Sequence, residues 1–500
     1  MILNLRVVFG TLAALVAFAG VAMLAPAAVG LYYGEETWWA FLATALGALA
    51  VGGGFWARWG RGESNAIRIR EGFAIVALAW VVISLAGAVP LVLGDVVDGY
   101  TDAFFETVSG FTTTGATILG GGGNPGIEEV PRSFLFWRSL THWLGGMGII
   151  VLTLAILPIL GVGGMQLFKA EVPGPSADKL TPRVRETARR LWMIYFGLTV
   201  AQVILLLPVM DLFDAVNHAF ATMATGGFST RDASVGAFGS AYVDWVLTLF
   251  MILAGMNFAL HFRLLRGQAV TVFRDTEFRV YLGVVVLGSL VMAGALWEPV
   301  RALLPGTTEA QGYATLPEAL RFGSFQTVSI LTTTGFATAD YEIWPPLAVG
   351  VIFLLFFVGG MAGSTGGGIK VVRQVLLFKN SFKEIKQLVH PQALLNVRLN
   401  GNVVPQDIMK NVLSFIVLYL ALIGVGTLAL ALCGLDILTA FGGTISSVGN
   451  VGPAFGTLGP AENYAHIPVM GKWVLSFLMV AGRLEIFTML IIFAPSFWRR

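Results

Sequence analysis

A single cysteine, Cys433, excludes an intramolecular disulfide and any cysteine-based metal site. Histidine is almost as scarce, and the five residues are scattered too widely to form a ligand cluster. Charge is the third shortage: only 12% of residues are Asp, Glu, Lys or Arg, with a formal net charge of +2. That leaves no basic domain suited to nucleic acid and little material for a large aqueous domain. His142 and His218 have no nucleophile beside them in a recognisable motif, so they read as hydrogen-bonded structural residues, and the chain does not read as an enzyme.

What fills the chain is apolar: 56% of residues are hydrophobic, and the mean hydropathy is +0.78. Runs long enough to cross ~30 Å of hydrocarbon recur about ten times. They lie at roughly 7–30, 37–57, 71–94, 132–160, 191–210, 243–265, 280–304, 345–378 (interrupted), 405–432 and 469–497. The first has the look of a signal peptide, with Arg6 ahead of it, but the charge alternation along the chain closes only if it is kept as a span.

Basic clusters follow every second span: Arg58, Arg61, Arg68 and Arg70; Lys169, Lys179, Arg183, Arg185, Arg189 and Arg190; Arg263, Arg266, Arg274 and Arg279; Arg373, Lys379, Lys383, Lys386 and Arg398; then Arg499 and Arg500. Lys and Arg near span ends resist translocation, so both termini are expected in the cytoplasm. The opposite side reads as acidic, with Asp102, Glu106, Asp211, Asp214, Glu318 and Asp436 near the starts of short helices. Such a mouth raises the local concentration of cations.

Four segments on the acidic side align with one another: FFETVSGFTTTGAT (104–117), NHAFATMATGGFST (217–230), FGSFQTVSILTTTGFAT (322–338) and LTAFGGTISSVGNVGPAFG (438–456). Each offers a short helix-compatible stretch, a turn ending in glycine and an extended continuation. The glycines, Gly115, Gly227, Gly335 and Gly452, recur at intervals of about 110 residues. The pairs before them are Thr113-Thr114, Thr225-Gly226, Thr333-Thr334 and Asn450-Val451. Roughly 25 to 31 residues past each glycine comes a second signature: Gly145-Gly146-Met147, Gly255-Met256, Gly359-Gly360-Met361 and Gly482-Arg483. Irregular backbone at membrane depth is tolerated only when buried in protein or lining a water-filled cavity. Four such loops meeting on one axis can replace a cation's hydration shell with backbone carbonyls, and glycine permits the dihedrals that this needs.

Two further features stand out. The eighth span is broken by Gly359, Gly360, Gly363, Gly366, Gly367 and Gly368, ahead of Lys370. At roughly 1 kcal/mol per glycine relative to alanine this is not an ordinary helix, and a mobile intramembrane loop fits better than a phosphate-binding loop. Arg483 takes the place of methionine in the fourth second signature, in the middle of an apolar span, which marks it as a functional candidate. Its bland alternative is a structural ion pair with Glu485, or contact with loop carbonyls.

Together the motifs SGFTTTGAT, ATGGFST, LTTTGFAT, GNVGPAFG, VGGMAGSTGGGIK and AGRLEIF resemble the Trk/Ktr/HKT superfamily of K+ transporters, nearest the TrkH/TrkG-type membrane subunit. The resemblance implies an all-α polytopic membrane protein with four pseudo-symmetric helix, pore loop, helix repeats around one pore. Two extra N-terminal transmembrane helices (1–60) would precede repeats over 61–165, 166–270, 271–400 and 401–500. It also implies K+ uptake across the bacterial inner membrane. The selectivity filter would comprise Thr113, Thr114, Gly115, Thr225, Gly226, Gly227, Thr333, Thr334, Gly335, Asn450, Val451 and Gly452, and the gate the glycine loop 359–368 with Lys370 and Arg483. Relatives with serine at the place of Gly115 conduct Na+, so glycine there implies K+. A homodimer surrounded by lipid is implied, with a cytoplasmic nucleotide-binding regulator of the TrkA type and no cofactor in this chain beyond the transported K+. A secondary carrier coupling cation entry to H+ or Na+ (symport) by alternating access is the other reading, disfavoured because only one span looks interrupted.

Overall fold

A computed structural model describes residues 4–59, 69–155, 180–302 and 311–498. The loop cations Arg61, Arg68, Lys169, Lys179, Arg499 and Arg500 lie outside the described residues. The described residues are mostly helical. Helices α1 (Leu5–Tyr33) and α2 (Trp38–Trp59) pair first. A Cβ on Gly52 would lie 2.6 Å from the Ala13 carbonyl oxygen, so small residues set the close approach of this pair.

The same local order then occurs four times: a long helix, a short helix, an extended stretch, and an outgoing helix. The first set is α3 (Ile69–Leu93), α4 (Tyr100–Phe111) and α5 (Arg132–Ala155). The second is α6 (Leu180–Leu206), α7 (Leu212–Met223), α8 (Ala241–Gly255) and α9 (Phe258–Leu265). The third is α10 (Thr276–Leu296), α11 (Leu316–Leu331), α12 (Pro346–Leu355) and α13 (Val371–Val389). The fourth is α14 (Gln406–Leu432), α15 (Ile437–Gly449) and α16 (Val469–Arg483). In each set the long helix packs along the short one. Outgoing helices also reach the next set: α5 packs on α7, α8 on α11 and α16 on α4, while Phe353 of α12 stacks on Phe441 of α15.

Six described helices are long and apolar enough to span a bilayer, and eight if each bent pair is one span. The expected span 132–160 runs past the described residues, which end at Ala155 in α5; its described part carries the buried polar groups Arg138, Thr141 and His142. The expected span 345–378 fails because α12 is short and leads into the glycine loop. More outgoing helices are broken than the single one expected. α8 turns through 102° into α9 at Met256 and Asn257, and α16 turns through 115° into a short helix at Phe487–Phe493. Asn257 starts the first new helix by accepting the Ala259 N–H at 2.8 Å. At the second, Glu485 and Ile486 adopt left-handed φ values of 55° and 61°, a rare conformation for a β-branched residue.

Candidate functional site

The short helices α4, α7, α11 and α15 each stop at a turn with one backbone pattern. Thr113, Thr225, Thr333 and Asn450 have φ of 52°, 55°, 58° and 54°; two residues later Gly115, Gly227, Gly335 and Gly452 have φ of 83°, 79°, 80° and 102°. Asn450 tolerates the left-handed region by its side chain chemistry, and the glycines by lacking Cβ. The fourth segment, with the most divergent residues, therefore takes the same path as the others.

The four turns close on one another in chain order. A Cβ on Gly115 would run into the Gly226 carbonyl oxygen, one on Gly227 into that of Thr334, one on Gly335 into that of Val451, and one on Gly452 would lie 2.6 Å from that of Thr114. Each glycine thus abuts the carbonyl of the residue before the next glycine, and the fourth returns to the first. All twelve residues expected at the filter stand at this ring. Thr113 Oγ1 and Asn450 Oδ1 are buried there without a hydrogen-bond partner among the described residues.

Residues that the sequence reading did not single out for the ring hold it in shape. At one place in three of the short helices stands a polar side chain that grips the extended stretch after its own turn. Glu106 accepts the Ile118 N–H at 3.0 Å, His218 bonds Ser229 Oγ at 3.0 Å, and the Gln326 amide donates to the Ala339 carbonyl at 3.2 Å. In the fourth that place is Gly443, and its neighbour Gly442 lets the Phe455 backbone approach directly. Behind the ring the Thr112 and Thr114 hydroxyls bond at 2.8 Å, as do those of Thr332 and Thr334, and Asn450 donates to Thr114 Oγ1 at 3.0 Å. The four-segment alignment already places Glu106, His218 and Gln326 in register, so that signal was available.

The second signature seats the turns. A Cβ on Gly145 would strike the Phe111 carbonyl and one on Gly482 that of Val448, so these glycines let the outgoing helices close against the ends of α4 and α15.

The glycine loop lies across the C-terminal ends of the other short helices. Thr365 donates to the carbonyls of Met223 at 3.0 Å and Ala254 at 3.3 Å, Gly367 N–H donates to Thr333 Oγ1 at 2.6 Å, and a Cβ on Gly367 would strike the Gly449 carbonyl. A Cβ on Gly366 would stand 3.0 Å from the Thr332 carbonyl oxygen. Lys370 turns back to donate to the Gly366 carbonyl, and the Glu277 carboxylate accepts Ala362 N–H at 2.7 Å and Val372 N–H at 3.2 Å. Arg483, 2% exposed, donates to the Thr365 carbonyl at 2.7 Å, and its Nε and Nη2 have no partner among the described residues. The expected alternative of an Arg483–Glu485 pair is wrong: Glu485 pairs with Arg373. The left-handed turn after Arg483 carries the carboxylate away to the start of α13.

The acidic mouth needs a similar correction. Glu106 is buried and paired with Arg138 at 2.7 Å, Asp214 with Arg231 at 2.8 Å, and Asp102 with Lys472 at 2.6 Å. These three cations lie among the acidic residues rather than in the basic loops, so the carboxylates brace the fold instead of forming a free ring of charge. Asp211 and Asp436 cap α7 and α15, and the Thr439 side chain and amide hold the Asp436 carboxyl below its usual value.

The TrkH family, described as "Cation transport protein", matches residues 39–500. The chain is 42% identical over 482 residues to the Trk system potassium uptake protein TrkH of Escherichia coli strain K12, covering 95% of this chain and 96% of that one. It is 36% identical over 501 residues to the Trk system potassium uptake protein TrkG of the same strain, covering 99% of both. The crystal structure of the potassium transporter TrkH from Vibrio parahaemolyticus matches with a TM-score of 0.89 at 38% identity, covering 99% of this chain and all of that one. This chain is a multi-pass membrane protein belonging to the TrkH family of cation transport proteins.

Proposed function

We propose that this chain takes up K+ through one pore whose selectivity filter is the ring of four turns. The closure of that ring, glycine against carbonyl from the first turn to the fourth and back, carries the reading. Backbone carbonyls and threonine oxygens there can replace the water around a K+ ion, and the short helices direct their negative C-terminal ends toward the same place. Relatives named as potassium uptake proteins supply the choice of ion.

The glycine loop and Arg483 act as the gate. A guanidinium held on the loop repels a passing K+ by about 4 kcal/mol at an effective dielectric near 20 and ~4 Å separation, so conduction is slow until the loop moves. The pore works in the bacterial inner membrane with both termini cytoplasmic. It functions as a homodimer in lipid with a cytoplasmic nucleotide-binding regulator, in keeping with relatives that are named as parts of a Trk system.

A carrier that alternates access has one observation in its favour, the three broken outgoing helices. Flux through purified protein in liposomes separates the two. Uncoupled K+ movement, with K+ over Na+ preference reduced in Gly115→Ser, Gly227→Ser and Gly335→Ser, is expected. Flux that requires an H+ or Na+ gradient, with preference unchanged in all three variants, overturns the filter reading.

A further inference from the structure

We infer that His142 is a positioning residue for ion selectivity, its imidazole taking the place of the side chain that the second filter turn lacks; this rests on the filter reading. The first and third turns have Thr114 and Thr334 before the glycine, and the fourth has Val451, whereas the second has Gly226. Nothing in the backbone asks for glycine at that position, because Gly226 is absent from the left-handed region that its neighbours Thr225 and Gly227 occupy. The His142 ring is what excludes a side chain: a Cβ on Gly226 would lie 2.6 Å from its Nδ1 and Cδ2.

Wholly buried, that ring ties the first turn to the second. Its Nδ1 stands 2.8 Å from the Gly110 carbonyl, and Phe228 N–H points at its Nε2 at 3.3 Å. A carbonyl only accepts and an amide only donates, so the imidazole is neutral with its proton on Nδ1. The Phe228 ring centroid lies 4.1 Å from that of the imidazole and 4.1 Å from the Arg138 guanidinium carbon. Phe228 directly follows Gly227, so the imidazole fixes both the amide leaving the second filter glycine and the space behind the Gly226 carbonyl. Aligned on the second signature, the other three repeats have Met251, Phe356 and Leu478 at the position of His142, none of which can make both bonds.

The experiment measures K+ and Na+ flux in proteoliposomes for His142→Ala, His142→Phe, and His142→Ala combined with Gly226→Thr, alongside Gly335→Ser in the third turn. His142→Phe keeps the ring volume and should fold, but it loses both hydrogen bonds. It is expected to lower the K+ to Na+ ratio about fivefold, the scale of one net hydrogen bond. His142→Ala should do at least as much, and Gly226→Thr should restore part of the ratio by refilling the space. Normal selectivity in His142→Phe while Gly335→Ser is impaired overturns the role of His142 and leaves the filter standing. Normal selectivity in Gly335→Ser as well overturns the filter reading and this inference with it.

Discussion

Arg373 and Glu485 form an ion pair that joins the start of α13, just past the glycine loop, to the turn just past Arg483. The Arg373 guanidinium also lies 4.0 Å from the centroid of Phe415 on α14. The pair therefore ties together both elements assigned to the gate and leaves Arg483 with no carboxylate partner among the described residues. A buried charge held, among the described residues, by the Thr365 carbonyl alone is suited to a barrier; one that is paired is suited to a hinge.

From that division, Arg483→Ala and Glu485→Ala should differ in kind. Arg483→Ala removes the barrier, so K+ flux in liposomes should rise while the K+ to Na+ ratio stays put. Glu485→Ala strands the buried Arg373, a loss of about 3 kcal/mol, and should lower the yield and melting temperature of purified protein. Replacing Arg373 and Glu485 together with methionine should recover the yield. Equal melting temperatures for Glu485→Ala and the unaltered chain would count against the pairing.

Glu277 should set how firmly the loop is held. One carboxylate oxygen accepts an N–H from the loop at Ala362 and another from the start of α13 at Val372. Glu277→Ala leaves two buried donors unsatisfied at about 1–3 kcal/mol each, and is expected to raise basal K+ flux several-fold by loosening the loop. Glu277→Gln keeps an acceptor oxygen and should stay near the unaltered rate. Similar flux from Ala and Gln would remove Glu277 from the control of the loop.

The Glu106–Arg138 pair should matter for assembly of the first turn. Arg138 also donates to the Ser229 carbonyl at 3.2 Å and so links the first and second extended stretches. Arg138→Ala leaves Glu106 buried without its cation, at a cost of about 3–5 kcal/mol, and little folded protein is expected in a detergent-solubilised size-exclusion profile. Glu106→Gln with Arg138→Met, which removes both charges, should restore much of the monodisperse peak.

Deleting 380–398 should uncouple flux from the proposed cytoplasmic regulator. The C-terminal half of α13 exposes Phe382, Ile385 and Leu388 next to Lys379, Lys383 and Lys386, and the helix continues directly from the loop. Co-purification with a soluble nucleotide-binding protein is expected from the full chain and should be lost on deletion. Nucleotide-responsive flux from the full chain alone in liposomes would show that no such partner is needed.

Local chemistry was legible in the chain, and long-range pairing was not. Apolar run length, the separation of basic clusters, and the recurrence of Gly115, Gly227, Gly335 and Gly452 follow from constraints that act within a few residues: hydrocarbon thickness, resistance of cations to translocation, and dihedrals open only to glycine. Arg483 also announced itself, because a guanidinium among apolar neighbours is unusual wherever it lies. By contrast, which carboxylate meets which cation depends on helices far apart in the chain. Glu106 beside Arg138, Asp102 beside Lys472 and Glu485 beside Arg373 could not be read from spacing, and adjacency in sequence suggested the wrong partner for Glu485. The bends after Gly255 and Arg483 were hidden because apolarity reports that a segment is buried, whereas a break depends on what accepts its freed backbone groups. Only the packed structure supplies those acceptors and donors, as when the Gly255 carbonyl is taken by Met361 N–H from the glycine loop.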